Sequence, residues 1–323
     1  MTYRKEELRN GLRVLSLENE WLSISILPEV GGKISSLIDK QRAMNVLWEN
    51  PRIQPQRFPI DSNFDNYWCG GWDDVFPTAD ACVHKGESYP NVGELRSLNW
   101  AVEDLSSNDS GATVRLSAHG PISAIKATKT ISLVGKEARL HFEIESEDAL
   151  PLDYIWGTHP SFAIEAGTRF LIPAKTGIVG QASNASLGIA GQRYDWPMLP
   201  VGDTVTDMSY AQGIHAGVAC GHYATDLLDG WYAVETDGAG VLMEFPVETC
   251  PCLWLWLVYG GWRGYHHAIL EPWTGYPVNL ERAVELGSAQ CLMPGEKFAV
   301  TIRCTTYGAP ETATEALARL RRE

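Results

Sequence analysis

Three short segments of the chain gather Trp, carboxylates and His beside glycine. They are Asn66-Tyr67-Trp68-Cys69-Gly70-Gly71-Trp72-Asp73-Asp74-Val75-Phe76-Pro77, Tyr154-Ile155-Trp156-Gly157-Thr158-His159-Pro160-Ser161-Phe162 and Leu270-Glu271-Pro272-Trp273-Thr274-Gly275-Tyr276-Pro277. Each sits where a strand-like run gives way to a turn, the place where a rigid scaffold presents side chains to a ligand. The chemistry on offer is proton transfer next to a stacking surface. A His and a carboxylate can act as acid and base. Trp72, Trp156 and Trp273 are flat apolar rings with one polar edge, suited to the C–H faces of a sugar. The chain has 12 Trp in all, and that excess points the same way.

His159 precedes Pro160, so its backbone is extended and it ends a strand. It reads either as a satisfied hydrogen-bonding residue or as a proton-transfer group. Glu271 follows Ala268-Ile269-Leu270 and precedes Pro272. A carboxylate against apolar surface favours its neutral form. Glu271 therefore reads either as a paired structural residue or as a tuned general base. His266 and His267 are strand neighbours pointing to opposite faces, so they do not share an ion and no metal is expected. Cys250-Pro251-Cys252 lacks the CxxC spacing of a zinc or redox site, and both thiols read as core.

The elements that must hold these residues are strands. Leu22, Ile24 and Ile26 alternate with Ser23 and Ser25; Leu140, Phe142 and Ile144 alternate with His141, Glu143 and Glu145; Phe298, Val300 and Ile302 alternate near the end. A period of two marks strands with one buried face. Leu253-Trp254-Leu255-Trp256-Leu257-Val258-Tyr259 is apolar on both faces and predicts a central strand. Turns are expected at Gly31-Gly32, Gly70-Gly71, Gly135, Asp237-Gly238 and Gly260-Gly261. The clearest helix runs from Pro310 to Leu320, with Pro and Glu early and Arg late. The stretch from Thr176 to Ala216 is rich in Gly, Ser, Asn and Asp and reads as a long irregular excursion, either functional or merely covering. Alternating βα units are absent, which argues against a Rossmann fold or a TIM barrel. The expectation is one all-β domain over residues 1–323, built as two packed antiparallel sheets with few short helices.

The formal net charge of -14 argues against nucleic acid and against docking on an anionic membrane. The N-terminal segment has no apolar run of signal-peptide length, and no uncharged apolar stretch reaches the roughly 18 residues of a membrane span. Seven cysteines, an odd and scattered set, do not form a disulfide framework. A cytoplasmic protein is expected.

The residues also resemble the aldose 1-epimerase (galactose mutarotase-like) superfamily, in order along most of the chain. Gly31-Gly32-Lys33-Ile34-Ser35-Ser36-Leu37 is similar to its early GG-x-I-x-S-L turn, and Gly70-Gly71 through Phe76-Pro77 to its GG…FP segment. His159-Pro160 with Phe162 resembles its His-containing strand end. Leu270-Glu271-Pro272-Trp273-Thr274-Gly275 resembles its LEP segment, and Leu292-Met293-Pro294-Gly295-Glu296 its closing L-x-PGE. The resemblance implies a β-supersandwich and a cofactor-free interconversion of sugar anomers. His159 would be the acid and Glu271 the base, on opposite sides of the ring. The implied partner is a small-molecule carbohydrate, and a homodimer is compatible with it.

One position departs from the pattern. The resemblance leads to a second His in an HG element, but here the stretch reads Asn91-Val92-Gly93-Glu94-Leu95-Arg96, with Val92 in that place. Arg96 could supply charge nearby, and Asp74 and Asp195 are the candidates for the sugar-anchoring Asp. Two other readings stay open. One is a non-catalytic carbohydrate-binding or regulatory protein, which Val92 favours. The other is a glycoside hydrolase or lyase with paired carboxylates.

Overall fold

The computed structural model describes residues 3–322. Met1, Thr2 and Glu323, the ends of the expected 1–323 domain, lie outside them. The chain groups into two compact units, Met1–His159 with Thr274–Arg303, and Pro160–Trp273 with Cys304–Glu323. About half of it is strand and about 8% helix, in large antiparallel sheets, as the all-β expectation required.

In the first unit one sheet runs Tyr3–Arg9, Leu12–Glu18, Leu22–Leu27, Lys33–Asp39, Trp72–Val75 and the start of Gly157–Phe162. Its register explains its core. Leu15 lies opposite Ile26, Leu17 opposite Ile24, and Ile24 opposite Leu37, so the apolar side chains of three strands share one face. All are buried, each such side chain contributing roughly 1.5–3 kcal/mol as an upper bound. Ser16, Ser25 and Ser36 form the matching row on the other face. A second sheet joins Glu137–Ser146, Ile125–Val134, Ala112–His119 and Ala101–Ser107. There Leu140, Phe142 and Ile144 are buried while His141, Glu143 and Glu145 are half-exposed. The short helix Leu280–Glu285 was not anticipated, since its six residues are too few to show a helical period.

In the second unit the apolar run forms the strand Cys252–Tyr259, flanked by His266–Trp273 and Val218–Leu227, as a central strand should be. The predicted helix is Ala313–Leu320. It starts later than the Pro310 expected because Thr312 caps it: its hydroxyl accepts from the Glu315 N–H, and the Glu315 carboxylate accepts in return. Ala313, Ala316, Leu317 and Leu320 pack on Ala233, Leu242 and Tyr307.

The excursion expected over 176–216 is corrected only in part: 18 of its 41 residues are strand, and the rest is turn, short 3-10 helix and irregular backbone. It contains most of Ala174–Ala182, then Arg193–Asp195 and the hairpin Met198–Val201 with Thr204–Asp207. Its glycines misled the reading. A Cβ on Gly177 would lie 2.1 Å from the Tyr194 ring, and one on Gly180 would lie 2.6 Å from the Trp254 ring. Gly177 is a bare strand position and Gly180 the unpaired residue of a β-bulge, and over each an aromatic ring lies. Among the described residues no helix is long and apolar enough to cross a membrane.

Candidate functional site

Two double-glycine turns of the first unit position the site residues. Gly31 has φ +71°, and a Cβ there would sit 2.4 Å from the Arg96 carbonyl oxygen. Its N–H donates to the Leu98 carbonyl at 2.9 Å. The turn thus lies flat against the segment that carries Arg96, and it launches Lys33 at the head of its strand. Gly71 has φ +78° and would place a Cβ 2.5 Å from the Ile34 carbonyl oxygen. It brings the strand Trp72–Val75 beside Lys33–Asp39, with Trp72 opposite Ile34.

Strand alternation then sorts the side chains. Trp72 and Asp74 point one way: the Trp72 indole N–H donates to Thr158 Oγ1 at 2.6 Å, and Asp74 pairs with Lys129 at 2.7 Å. Lys129 also donates to the carbonyls of Gly31 and Gly32, tying the first glycine turn to the second sheet. Asp73 points the other way, between two basic side chains. Its Oδ1 lies 3.0 Å from His159 Nδ1 and its Oδ2 lies 2.9 Å from Lys33 Nζ. Lys33 and Asp73 are each 1% exposed.

The electrostatics follow from that burial. Loss of water pushes the Asp73 carboxyl up, but the Lys33 ammonium and the His159 imidazole outweigh it and hold the group well below the usual carboxylate range. Asp74 goes the opposite way: burial raises it, Lys129 only partly offsets this, and the Asp73 charge adds to the rise. Two adjacent carboxylates are thereby pushed apart by their partners.

Arg96 lies in the same region, where the Asp73 charge acts on it. Its Nε donates to the Asn91 carbonyl at 2.9 Å and its Nη2 to the Ser62 carbonyl at 3.1 Å. The guanidinium stacks 4.8 Å from the Phe64 ring and 5.1 Å from the Phe58 ring. Nη1 is buried without a hydrogen-bond partner. Burial lowers this group to about 10, with Asp73 and Asp65 pulling it back. Phe64 also meets the His159 ring edge-on at 6.2 Å and lies under Lys33 Nζ at 5.4 Å. Val92, in the same segment, is buried with φ +62°, a left-handed conformation that a β-branched residue rarely adopts.

In the second unit, Glu271 is buried and accepts the Trp273 indole N–H at 3.1 Å. Directly across the strand pair stands Trp254, which in turn lies opposite Tyr223, the two rings 4.4 Å apart. His267 meets Ser161 Oγ at 3.0 Å and His266 meets the Gln212 carbonyl at 2.9 Å, so these neighbours serve different partners.

The structure therefore treats the expected residues unequally. His159 joins an acid–base cluster, and Arg96 lies in the same unit beside Phe64. Trp72, Trp156 and Trp273 are 2%, 0% and 0% exposed. They are core side chains; Trp156 stacks on Phe142 at 5.4 Å. The expectation that they offer faces to a sugar is corrected: the Trp72 and Trp273 indole N–H groups find partners inside, in Thr158 and Glu271, which lets these rings bury completely, whereas Trp156 is buried by packing alone, its indole nitrogen unpartnered. Asp74 is likewise corrected from sugar anchor to structural ion pair, sealed against Lys129. Asp195 is exposed at the end of the edge strand Arg193–Asp195.

Sequence reasoning missed Asp73, Lys33 and Trp254. Parity along Trp72-Asp73-Asp74 was the available signal for the first: if Trp72 faces the core, Asp73 faces away from it. Lys33 is the one charge between the Gly31-Gly32 turn and Asp39, which is a recognisable oddity. Trp254 was hidden in a run that reads as core throughout.

A family model described as a domain of unknown function (DUF5107) matches residues 2–85. No curated protein matches the chain by sequence. Among solved structures, a candidate aldose 1-epimerase from Klebsiella pneumoniae aligns with TM-score 0.76 and 15% identity, covering 99% of this chain and 86% of that one. A galactose mutarotase-like protein from Clostridium acetobutylicum aligns with TM-score 0.65 and 14% identity, covering 95% and 99%. A TPR-domain containing protein from Parabacteroides distasonis aligns with TM-score 0.67 and 15% identity; the match covers 94% of this chain but 48% of that longer one. At such identities the likeness shows the fold, the galactose mutarotase-like β-supersandwich.

Proposed function

We propose that the protein is an aldose 1-epimerase-like isomerase that interconverts the anomers of a sugar or sugar derivative, with His159 as the acid and Glu271 as the base. The observation that carries this reading is the buried pairing of His159 with Asp73. An ionised Asp73 accepts the Nδ1 proton and fixes the ring, so Nε2 is the nitrogen that exchanges a proton with the sugar. The His159 imidazolium would give its Nε2 proton to the ring oxygen while Glu271 takes the anomeric hydroxyl proton. The ring C1–O bond breaks, a free aldehyde forms, C1–C2 rotates, and closure on the other carbonyl face returns both protons. No cofactor enters this balance.

A panel of freshly dissolved pure anomers, followed by polarimetry or NMR, tests it. Interconversion of at least one sugar well above the buffer rate is expected. His159→Asn and Glu271→Gln should each lose roughly 10²–10⁴ in turnover with affinity little changed. The two losses should not add, since neither proton transfer is useful without the other. A Glu271→Gln variant with full turnover rules Glu271 out as the base.

Val92 favours a second reading, a non-catalytic carbohydrate-binding protein. A buried Val in a left-handed conformation stands where the resemblance leads to a His. Saturable sugar binding with no anomer exchange in the same panel would select it.

A further inference from the structure

We infer that Lys33 is a positioning residue: through Asp73 it sets the proton equilibrium and the orientation of His159. The inference rests on the reading of His159 as the proton-transfer group, but its geometry is independent of any substrate. Lys33 Nζ and His159 Nδ1 hold the two oxygens of one carboxylate, at 2.9 Å and 3.0 Å. An ion pair on one oxygen restrains the carboxylate, while its other oxygen lies on the imidazole.

The charges make the same point. A buried Asp with His159 as its sole basic neighbour would be compensated by drawing a proton onto the imidazole, leaving a permanent imidazolium. Lys33 supplies that compensation instead. The Lys33–Asp73 pair is neutral as a unit, so the imidazole beside it is free to be neutral or charged as a proton-transfer cycle requires. Lys33 is itself held in place by aromatic faces, 5.4 Å from the Phe64 ring centre and 5.0 Å from that of Trp68. Such faces favour a cation without supplying an anion that would compete with Asp73.

The other titratable groups do not replace it. Asp74, next in the chain, is engaged by Lys129. Arg96 and Asp65 act on this region through space, with opposite signs, and Arg96 makes its hydrogen bonds to backbone carbonyls. Cys69, near Lys33, is a buried thiol pushed up by desolvation and is neutral at working pH. Among the described residues, Lys33 and His159 are thus the basic side chains in contact with Asp73.

The test is an NMR titration of the His159 ring in the intact protein, free of sugar. Wild-type protein should show the neutral tautomer with the proton on Nδ1. Lys33→Met should raise the His159 midpoint by a unit or more, a tenfold or greater change in its protonation equilibrium. Asp73→Asn should lower it, and Lys33→Arg should leave it within a few tenths of a unit. Should Lys33→Met not fold, Lys33→Gln and the wild-type tautomer remain as tests. A folded Lys33→Met or Lys33→Gln with the wild-type midpoint overturns the inference, as does a wild-type Nε2–H tautomer. Where a sugar substrate has been found, the acid limb of the Lys33→Met rate profile should move up with the NMR midpoint. A shifted midpoint in a protein that exchanges no anomers would sink the proposed activity and leave this inference standing.

Discussion

A Cβ at Gly31 would strike the Arg96 backbone at 2.4 Å, whereas one at Gly135 would meet nothing within 4 Å, although both glycines have positive φ. The pair separates two effects that a turn prediction lumps together. Gly135→Ala should lose only the backbone preference, about 1 kcal/mol. Gly31→Ala adds a contact with backbone that cannot move cheaply and should lose at least ~2 kcal/mol more. Equilibrium denaturation of both variants measures the difference; equal losses would mean that the close approach at Gly31 is not needed. Both turns were legible from Gly31-Gly32 and Gly135 in the sequence. That one of them seats Lys33 and Arg96 was not, because it depends on which backbone lies opposite.

At the scale of the element, the helix Ala313–Leu320 and the strand around Gly180 behave differently. The helix carries its own instructions in Thr312, Glu315 and the spacing of its buried residues. Thr312→Ala should cost about 1 kcal/mol, read as a lower unfolding midpoint at unchanged slope. The strand Ala174–Ala182 was read as irregular because Gly177 and Gly180 lower strand propensity. Their use becomes visible once Tyr194 and Trp254 are placed over them. Gly180→Val, which raises intrinsic strand propensity, should nonetheless destabilise the protein by more than 1 kcal/mol, since the Trp254 ring must move. A stabilised Gly180→Val would contradict that packing.

For the whole molecule, the formal charge of -14 is compatible with good solubility near neutrality; buried titrating groups govern the approach to acid. His222 is fully buried, its Nδ1 2.9 Å from the Tyr194 hydroxyl, and burial lowers it from 6.5 to about 4. The unfolded chain therefore binds a proton below about pH 6.5 that the folded chain refuses until about pH 4. Stability contributed by neutral His222 is complete above that window and lost as pH falls through it, on the order of 3 kcal/mol in full. Asp73, held low, keeps its contribution down through this range and loses it only below the ordinary carboxylate pKa. His222→Gln should thus flatten the stability curve between pH 6.5 and 4, by roughly 2–3 kcal/mol in a denaturation series. An unchanged slope would show that His222 titrates normally.

Readable in the residues alone were the all-β class, the strands with one apolar face, the central strand Cys252–Tyr259, the C-terminal helix and the likeness of five ordered motifs to one fold. Each is a local or periodic property, and period two or 3.6 survives without knowledge of neighbours. It took the folded chain to show that Trp72, Trp156 and Trp273 are core, that Asp74 belongs to Lys129, and that Asp73 with Lys33 holds His159. Burial and ion pairing are set by what lies across a strand pair or beneath a turn. Lys33, Asp73 and His159 come from three separate strands, and residues so far apart in the chain acquire their partners only when those strands are brought together.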